Sequence, residues 1–369
     1  MMLISIVILN YNYGRFLPDA IRSALSQDYP HVEVVVVDDG STDNSREIIA
    51  AFGDKIVAIF KENGGQGSAV NAGFAAAHGE LVIFLDADDS LLPHCCSTIA
   101  GMWRDDLVKV QFNLEVVDIQ GKPTSRYWAK HPLPNGQMME QVLQAGDYYS
   151  MPMSGNAFHR RYLQNVMPMA ADKWRRGADV YMFIQAPFFG AIHSTDQALG
   201  NYRVHGINTS SHVKDGRVRI DTLRTSIKRE IETNTLIRLQ ATRLGRKYDD
   251  ALIRGLAHRQ LIFLSARFDT TSAAPAGKGQ AARSFVEFMA ALLENQDVGP
   301  VKKLLIGIWM GAILCLPSRV AEGVFVTGYR RGAVFAVPRF IAPTQETSHR
   351  TMGWRRMRWP RRSHPVADI

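Results

Sequence analysis

Apolar and polar positions alternate along the chain with two distinct periods. Leu3–Leu9 is an unbroken, mostly β-branched apolar run, which predicts a strand buried on both faces. Over residues 15–27 the apolar positions Phe16, Ala20, Ile21, Ala24 and Leu25 fall at helical spacing. Pro18 suits the first turn of that helix, where no amide hydrogen is needed. Val32–Val37 predicts a second buried strand, ended by Asp38-Asp39-Gly40. Residues 42–52 predict a helix that Ser41 or Thr42 can cap. Ile56–Phe60 predicts a third strand, Gln66–His78 an Ala-rich helix, and Leu81–Leu85 a fourth strand running into Asp86-Ala87-Asp88-Asp89. Such alternation predicts an open, mostly parallel α/β sheet. Ligands in such sheets bind beyond the carboxyl ends of the strands, where three of these polar clusters fall.

The alternation stops after residue 100. Residues 107–160 read as short strand-like pieces among Pro/Gly loops, 172–189 as a loop and helix, and 202–211 as a polar loop. A helical pattern follows over 217–265, with Ile220, Leu223, Ile227 and Ile231 on one face. Residues 269–283 predict a linker and Ser284–Glu294 a further helix. We read 1–215 as one domain, with 1–100 holding the ligand and 101–215 completing the site. Residues 216–300 form a helical extension, and 301–369 an apolar and basic tail.

Charge sharpens this division. The chain of 369 residues carries a net charge of +8, yet residues 301–369 hold 12 Lys/Arg against 3 Asp/Glu, and the other 300 hold 31 against 32. A basic end on a nearly neutral body argues against a nucleic-acid partner and for anchoring at an anionic surface. Leu304–Leu316 is apolar, but a helix of that length spans only about 20 Å, against ~30 Å of hydrocarbon. The tail beyond it interleaves six arginines with Trp354 and Trp359. Interfacial membrane binding is the expectation; a packed helix with a free tail is the alternative. Cys95, Cys96 and Cys315 show no metal-ligand spacing, which fits a reducing compartment. The N-terminus reads as a strand, not a signal peptide. The expected location is cytoplasmic, peripheral on the inner face of the plasma membrane.

The chemistry lies at the strand ends. Asp86 and Asp88, two residues apart, present carboxylates suited to Mg²⁺ or Mn²⁺ beside a diphosphate. Asp38 and Asp39 can accept from a base or ribose, or cap the next helix. Tyr11 can stack on a base, or pack at the rim. The stretches VILNYNYGRFLPDAIRSALSQDYPHVEVVVVDDGSTDNS and ENGGQGSAVNAGFAAAHGELVIFLDADD together resemble family 2 glycosyltransferases of the type A, nucleotide-diphospho-sugar transferase fold. The resemblance is close over 3–90 and looser to about 211.

That resemblance implies a Rossmann-like, mostly parallel α/β sheet followed by a helical C-terminal region. It implies a nucleoside-diphosphate sugar held by Tyr11, Asn12, Asp38, Asp39, Asn63, Gln66, Asn71, Asp86 and Ala87, and Mn²⁺ or Mg²⁺ on Asp88 and His205. Val70 stands where the family commonly has Arg. The family's Glu-Asp pair corresponds to Ala178-Asp179, which leaves Asp179 as the base, or an N-cap, with Asp172 as the fallback. Gly155, Asn156, Trp174 and Arg203 would lie on the acceptor side. The implied reaction is inverting, metal-dependent sugar transfer to a carbohydrate or lipid-linked hydroxyl, in bacterial polysaccharide or glycolipid assembly. Two other functions compete. A nucleotidyltransferase needs an early Gly-rich basic loop, and the first turn here is LNYNYGRF. A non-catalytic scaffold on a retired transferase fold would explain Val70 and Ala178, but not four retained aspartates.

Overall fold

A computed structural model describes residues 2–130, 132–205, 213–214, 217–248, 256–268, 278–294 and 299–330. The basic tail after residue 330 and loop residues 206–211 lie outside them.

The first half folds as the periodicity predicts. β1 (Ile4–Asn10), β2 (Val32–Asp38), β3 (Val57–Phe60) and β4 (Leu81–Asp86) run parallel in the order β3-β2-β1-β4. Period two sorts their side chains onto two cores. Ile6, Ile8, Val34, Val36, Ile83 and Leu85 face one way, and Val7, Leu9, Val35, Val37, Val82 and Phe84 the other. α1 (Leu17–Leu25) and α2 (Ser45–Ala50) cover the first face, and α3 (Gln66–Ala76) the second. α2 begins later than expected, and neither Ser41 nor Thr42 caps it. Asp43 instead accepts from the Ser45 amide, while Ser41 is drawn to Asn10 and Asn12.

Beyond residue 90 come β5 (Ser90–Leu91), α4 (Cys95–Met102), β6 (Leu107–Val117), β7 (Pro123–Tyr127), α5 (Met139–Ala145), β8 (Asn156–His159), α6 (Arg160–Val166), α7 (Ala178–Gln185) and β9 (Ala191–Arg203). Among the described residues the sheet continues β4-β8-β6-β9-β5, with β7 on β6. β8 is antiparallel to both neighbours, and β6 and β9 are parallel. The fragmentary strands expected over 107–160 are thus wrong at β6, an 11-residue strand inside the sheet. Its alternating Lys109, Gln111 and Asn113 are all buried, with polar partners inside the fold. The predicted loop at 202 likewise begins as the end of β9.

A ribbon of β10 (Val213–Lys214) and β11 (Arg217–Val218) leads to α8 (Ile220–Arg243), α9 (Leu256–Phe268), α10 (Lys278–Glu294), α11 (Pro300–Cys315) and α12 (Ser318–Arg330). These helices close a third core around Leu223, Phe263, Phe288, Ile306, Met310 and Phe325. The predicted linker is too long at its end. Residues 278–283 are the first turns of α10, because Ala281, Ser284, Phe288 and Leu292 share its buried face; residues 269–277 lie outside the described residues. No described helix is long and apolar enough to cross a membrane.

Candidate active site

The strand register gathers the acidic clusters at one edge. Asn10 pairs with Asp38 across β1 and β2, and Leu9 with Asp86 across β1 and β4. Not every carboxylate there is open to a ligand. Asp38 is fully buried and accepts from Asn10 Nδ2 at 2.8 Å and the Ser41 amide at 3.1 Å. Asp39 accepts from the Gly64 and Gly65 amides at 3.0 and 2.7 Å and from Lys61 Nζ at 2.6 Å. Both organise loops around the edge. Asn12 sits at φ 58°, donates its amide to Ser41 Oγ and accepts from the Thr42 amide, so its side chain is a loop clasp. Tyr11 stays 46% exposed at the end of β1, open to a stacking ligand.

The acidic turn after β4 is the centre of the site. Asp89 is buried and accepts from Ser154 Oγ at 2.7 Å and the Arg203 amide at 2.9 Å. Ser154 Oγ in turn accepts from the Asp86 amide. Asp89 therefore locks the turn to β9 and to the segment ahead of β8, leaving Asp86 and Asp88 partly exposed at the edge. Ala87 is buried, and its amide continues the β1 ladder by donating to Leu9, so it offers backbone only. Burial, then the Asp88 charge, pushes the Asp86 and Asp89 carboxyls well above the usual range; Asp179 adds to the shift at Asp86.

His205 completes this centre. Its Nε2 lies 2.8 Å from Asp88 Oδ2, and its ring stacks on Phe16 at 5.0 Å with Tyr13 edge-on. Among the described residues no group of three or more His, Cys, Asp or Glu side chains is arranged around a metal ion. The pair nevertheless fits Mn²⁺ or Mg²⁺. Such ions take one or two protein ligands plus substrate phosphates, and adjacent ligands on an octahedral ion stand about 3 Å apart.

Asp179 lies in the first turn of α7, partly exposed. Burial raises its carboxyl against the pull of Arg229 in α8 and of the Val180 amide. Gln66 fixes this turn: its Oε1 accepts from the Gly177 and Ala178 amides at 2.9 and 3.1 Å, so it holds the α7 start. Asn63 is likewise engaged, donating to the Asp39 carbonyl and accepting from Arg175. Asn71 exchanges two hydrogen bonds with Met169 and is a clamp between α3 and the loop after α6. Asp172 is exposed.

The acceptor-side expectations need correction. Arg203 is buried over Phe16, donates to the Asp88 carbonyl and reaches Asp19, so it braces the acidic turn. Trp174 is 2% exposed against Tyr181 and belongs to the core. Asn156 is buried and donates to the Met151 and Pro152 carbonyls. Gly155 is buried where a Cβ would stand 2.8 Å from Met151 Cβ, so smallness there serves packing. Val70 is fully buried in the core. Sequence reading passed over Tyr13, Asp89, Lys109 and Arg229. Asp89 follows directly on the Asp86-Ala87-Asp88 signal; nothing in the local pattern marks Arg229, which is over 40 positions from Asp179.

Residues 5–167 match the profile described as glycosyl transferase family 2. Over this segment the chain is similar to that family. An uncharacterised glycosyltransferase of Nostoc sp. (strain PCC 7120) is 42% identical over 213 residues, covering 56% of this chain and 66% of the relative. This chain thus spans just under two thirds of that protein. Among solved structures, S. aureus TarS superposes with a TM-score of 0.51 at 18% identity, covering 89% of this chain and 55% of TarS. TarS 1–349 in complex with UDP-GlcNAc gives 0.50, also at 18%, covering 90% and 92%. These structural likenesses show the fold: an α/β domain with helices after it.

Proposed function

We propose that the chain is an inverting glycosyltransferase that moves a sugar from a nucleoside diphosphate to a hydroxyl acceptor. One observation supports the reading above the others: the Asp179 charge at the start of α7 is near enough to add to the rise of the Asp86 carboxyl at the end of β4, and Gln66 of α3 holds the α7 start by accepting from the Gly177 and Ala178 amides. In an in-line displacement the acceptor oxygen attacks the anomeric carbon opposite the leaving diphosphate, and the configuration inverts. Asp179, its carboxyl raised by burial, takes the acceptor's proton. Tyr11 offers a face to the base. Asp88 and His205 would hold the divalent ion, which when bound neutralises the leaving diphosphate. An imidazole nitrogen in the ligand set favours Mn²⁺ over Mg²⁺.

UDP-GlcNAc is the first donor to test, because TarS 1–349 binds it. UDP released from UDP-GlcNAc, UDP-glucose or UDP-galactose, or GDP from GDP-mannose, is the measurement, with and without Mn²⁺. Asp179→Asn is expected to lower turnover on the order of 100-fold or more. Turnover indifferent to that change would remove the mechanism.

We further propose that the enzyme works at an anionic membrane surface on carbohydrate or lipid-linked acceptors. Support comes from α11, whose Ile306, Met310 and Ile313 pack inward while Val301, Leu304, Leu305 and Ile308 are each more than 60% exposed. Lys302 and Lys303 sit at the start of this stripe, and the basic end of the chain follows.

A further inference from the structure

Lys109 is the most unusual charged residue outside the site described above. It stands on β6, wholly shut off from solvent. Its Nζ donates to Gln111 Oε1 at 3.1 Å, Tyr148 Oη at 3.1 Å and Ser150 Oγ at 2.5 Å. The rings of Tyr148, Phe158 and Phe183 surround it at 5.1, 5.9 and 5.3 Å. All three oxygens can accept. The Tyr148 hydroxyl spends its proton on the Phe183 carbonyl, and that of Ser150 points to the Met151 carbonyl. The Gln111 amide donates to Ser194 and Pro134, which turns its oxygen to the lysine. Three acceptors match the three hydrogens of an ammonium; a neutral amine has only two to give. Three acceptors around Nζ suit the charged form.

A buried cation needs a counter-charge. Phe183, whose ring centre lies 5.3 Å from Nζ, is four residues after Asp179 on α7, and residues four apart share a helix face. We propose that Lys109 is a positioning residue for the base: a buried counter-charge to Asp179 that, through Tyr148, also holds the helix carrying it. The inference rests on the reading of Asp179 as base. Two charged groups act on Asp179, Arg229 from α8 and Lys109 from β6, and Asp179 in turn raises the Asp86 carboxyl at the end of β4. Lys109 itself meets Tyr148, with Tyr162 of α6 beyond. Burial pushes the lysine down and Asp179 draws it back up; Lys109 in turn draws the Asp179 carboxyl down. Lys109 thus opposes the rise that burial imposes on the Asp179 carboxyl.

The test is the titration of the Asp179 carboxyl in the full chain, followed by carbon NMR of labelled aspartate and assigned with Asp179→Asn. Lys109→Met is expected to raise the midpoint by about one unit or more, and Lys109→Arg to restore it. Tyr148→Phe keeps the charge and leaves the midpoint near wild type. An unmoved midpoint in Lys109→Met, or equal shifts in Lys109→Met and Tyr148→Phe, overturns the proposal. Should Lys109→Met fail to fold, the nitrogen signal of Lys109 in the wild-type chain decides: an ammonium at pH 7 supports the role, and a neutral amine there overturns it. UDP release from UDP-GlcNAc by Asp179→Asn tests the base separately. Undiminished release removes the base reading and leaves the carboxyl titration to report on Lys109 alone.

Discussion

Asp88 and Asp89 are adjacent, yet one faces the edge of the sheet and the other is locked inside it. Asp89 holds Ser154 and the Arg203 amide. Replacing it by Asn leaves one of these facing a donor, and is expected to destabilise the fold by about 1–3 kcal/mol, measured by denaturant unfolding. Asp88 answers to His205. His205→Ala is expected to weaken Mn²⁺ dependence on the order of 10- to 100-fold, as loss of a metal-site partner does, read as the Mn²⁺ concentration for half-maximal donor turnover. Asp86 carries a testable pH signature. Its folded carboxyl keeps a proton to higher pH than in the unfolded chain. The native state therefore binds more protons in that window, and its stability falls as pH rises through it. Asp86→Asn should raise the melting temperature near pH 7.5 and lose that advantage towards pH 4. A gain that did not shrink on acidification would contradict this account of the cluster. Sequence reading identified the residues of this edge better than their duties. Strand-end aspartates are visible in one dimension; whether a carboxylate meets solvent or a neighbouring amide depends on chain from elsewhere.

At the scale of elements, the first four strands and three helices were legible because each runs in one period and buries accordingly. β6 was not, because its polar alternates are satisfied by Tyr148, Ser194 and the Ala129 carbonyl, all distant in sequence. Two contacts of α3 set the geometry of the site. Gly73 lets the helix lie on β1, since a Cβ there would stand 2.3 Å from Val7 Cγ1. Gly73→Ala is expected to cost about 1–3 kcal/mol through overpacking, seen as a lower denaturation midpoint. At the other end, Gln66 accepts from the two amides that open α7. Gln66→Ala should cost about 1 kcal/mol, as a lost cap does, and should also lower donor turnover because Asp179 rides on that turn. A loss of stability with turnover untouched would separate Gln66 from the base.

Over the whole molecule, the helices after residue 216 are more than an appendage. Arg229 of α8 crosses Gly177, its Cδ 2.7 Å from where a Cβ would be, and acts on Asp179. The exposed stripe of α11 lies on the same helical assembly, which links the proposed surface anchor to the base through packed helices. Leu304→Asp with Ile308→Asp should abolish sedimentation with phosphatidylglycerol vesicles while leaving UDP release from UDP-GlcNAc within about twofold, since the exposed stripe makes no contact in the core. Sequence reading anticipated the basic, apolar end but not the arginine that α8 sends back to the first domain.

β9 lies along β6 over most of its length, with register irregularities near Phe112 and Asn113, before delivering Arg203 and His205 to the acidic turn. Each residue of strand advances about 3.3 Å. A single insertion or deletion between that irregularity and Arg203 would therefore carry the imidazole past Asp88 and turn the guanidinium to the opposite side of the sheet. The stretch of β9 after the irregularity works as a ruler, and a change in its length should part His205 from Asp88.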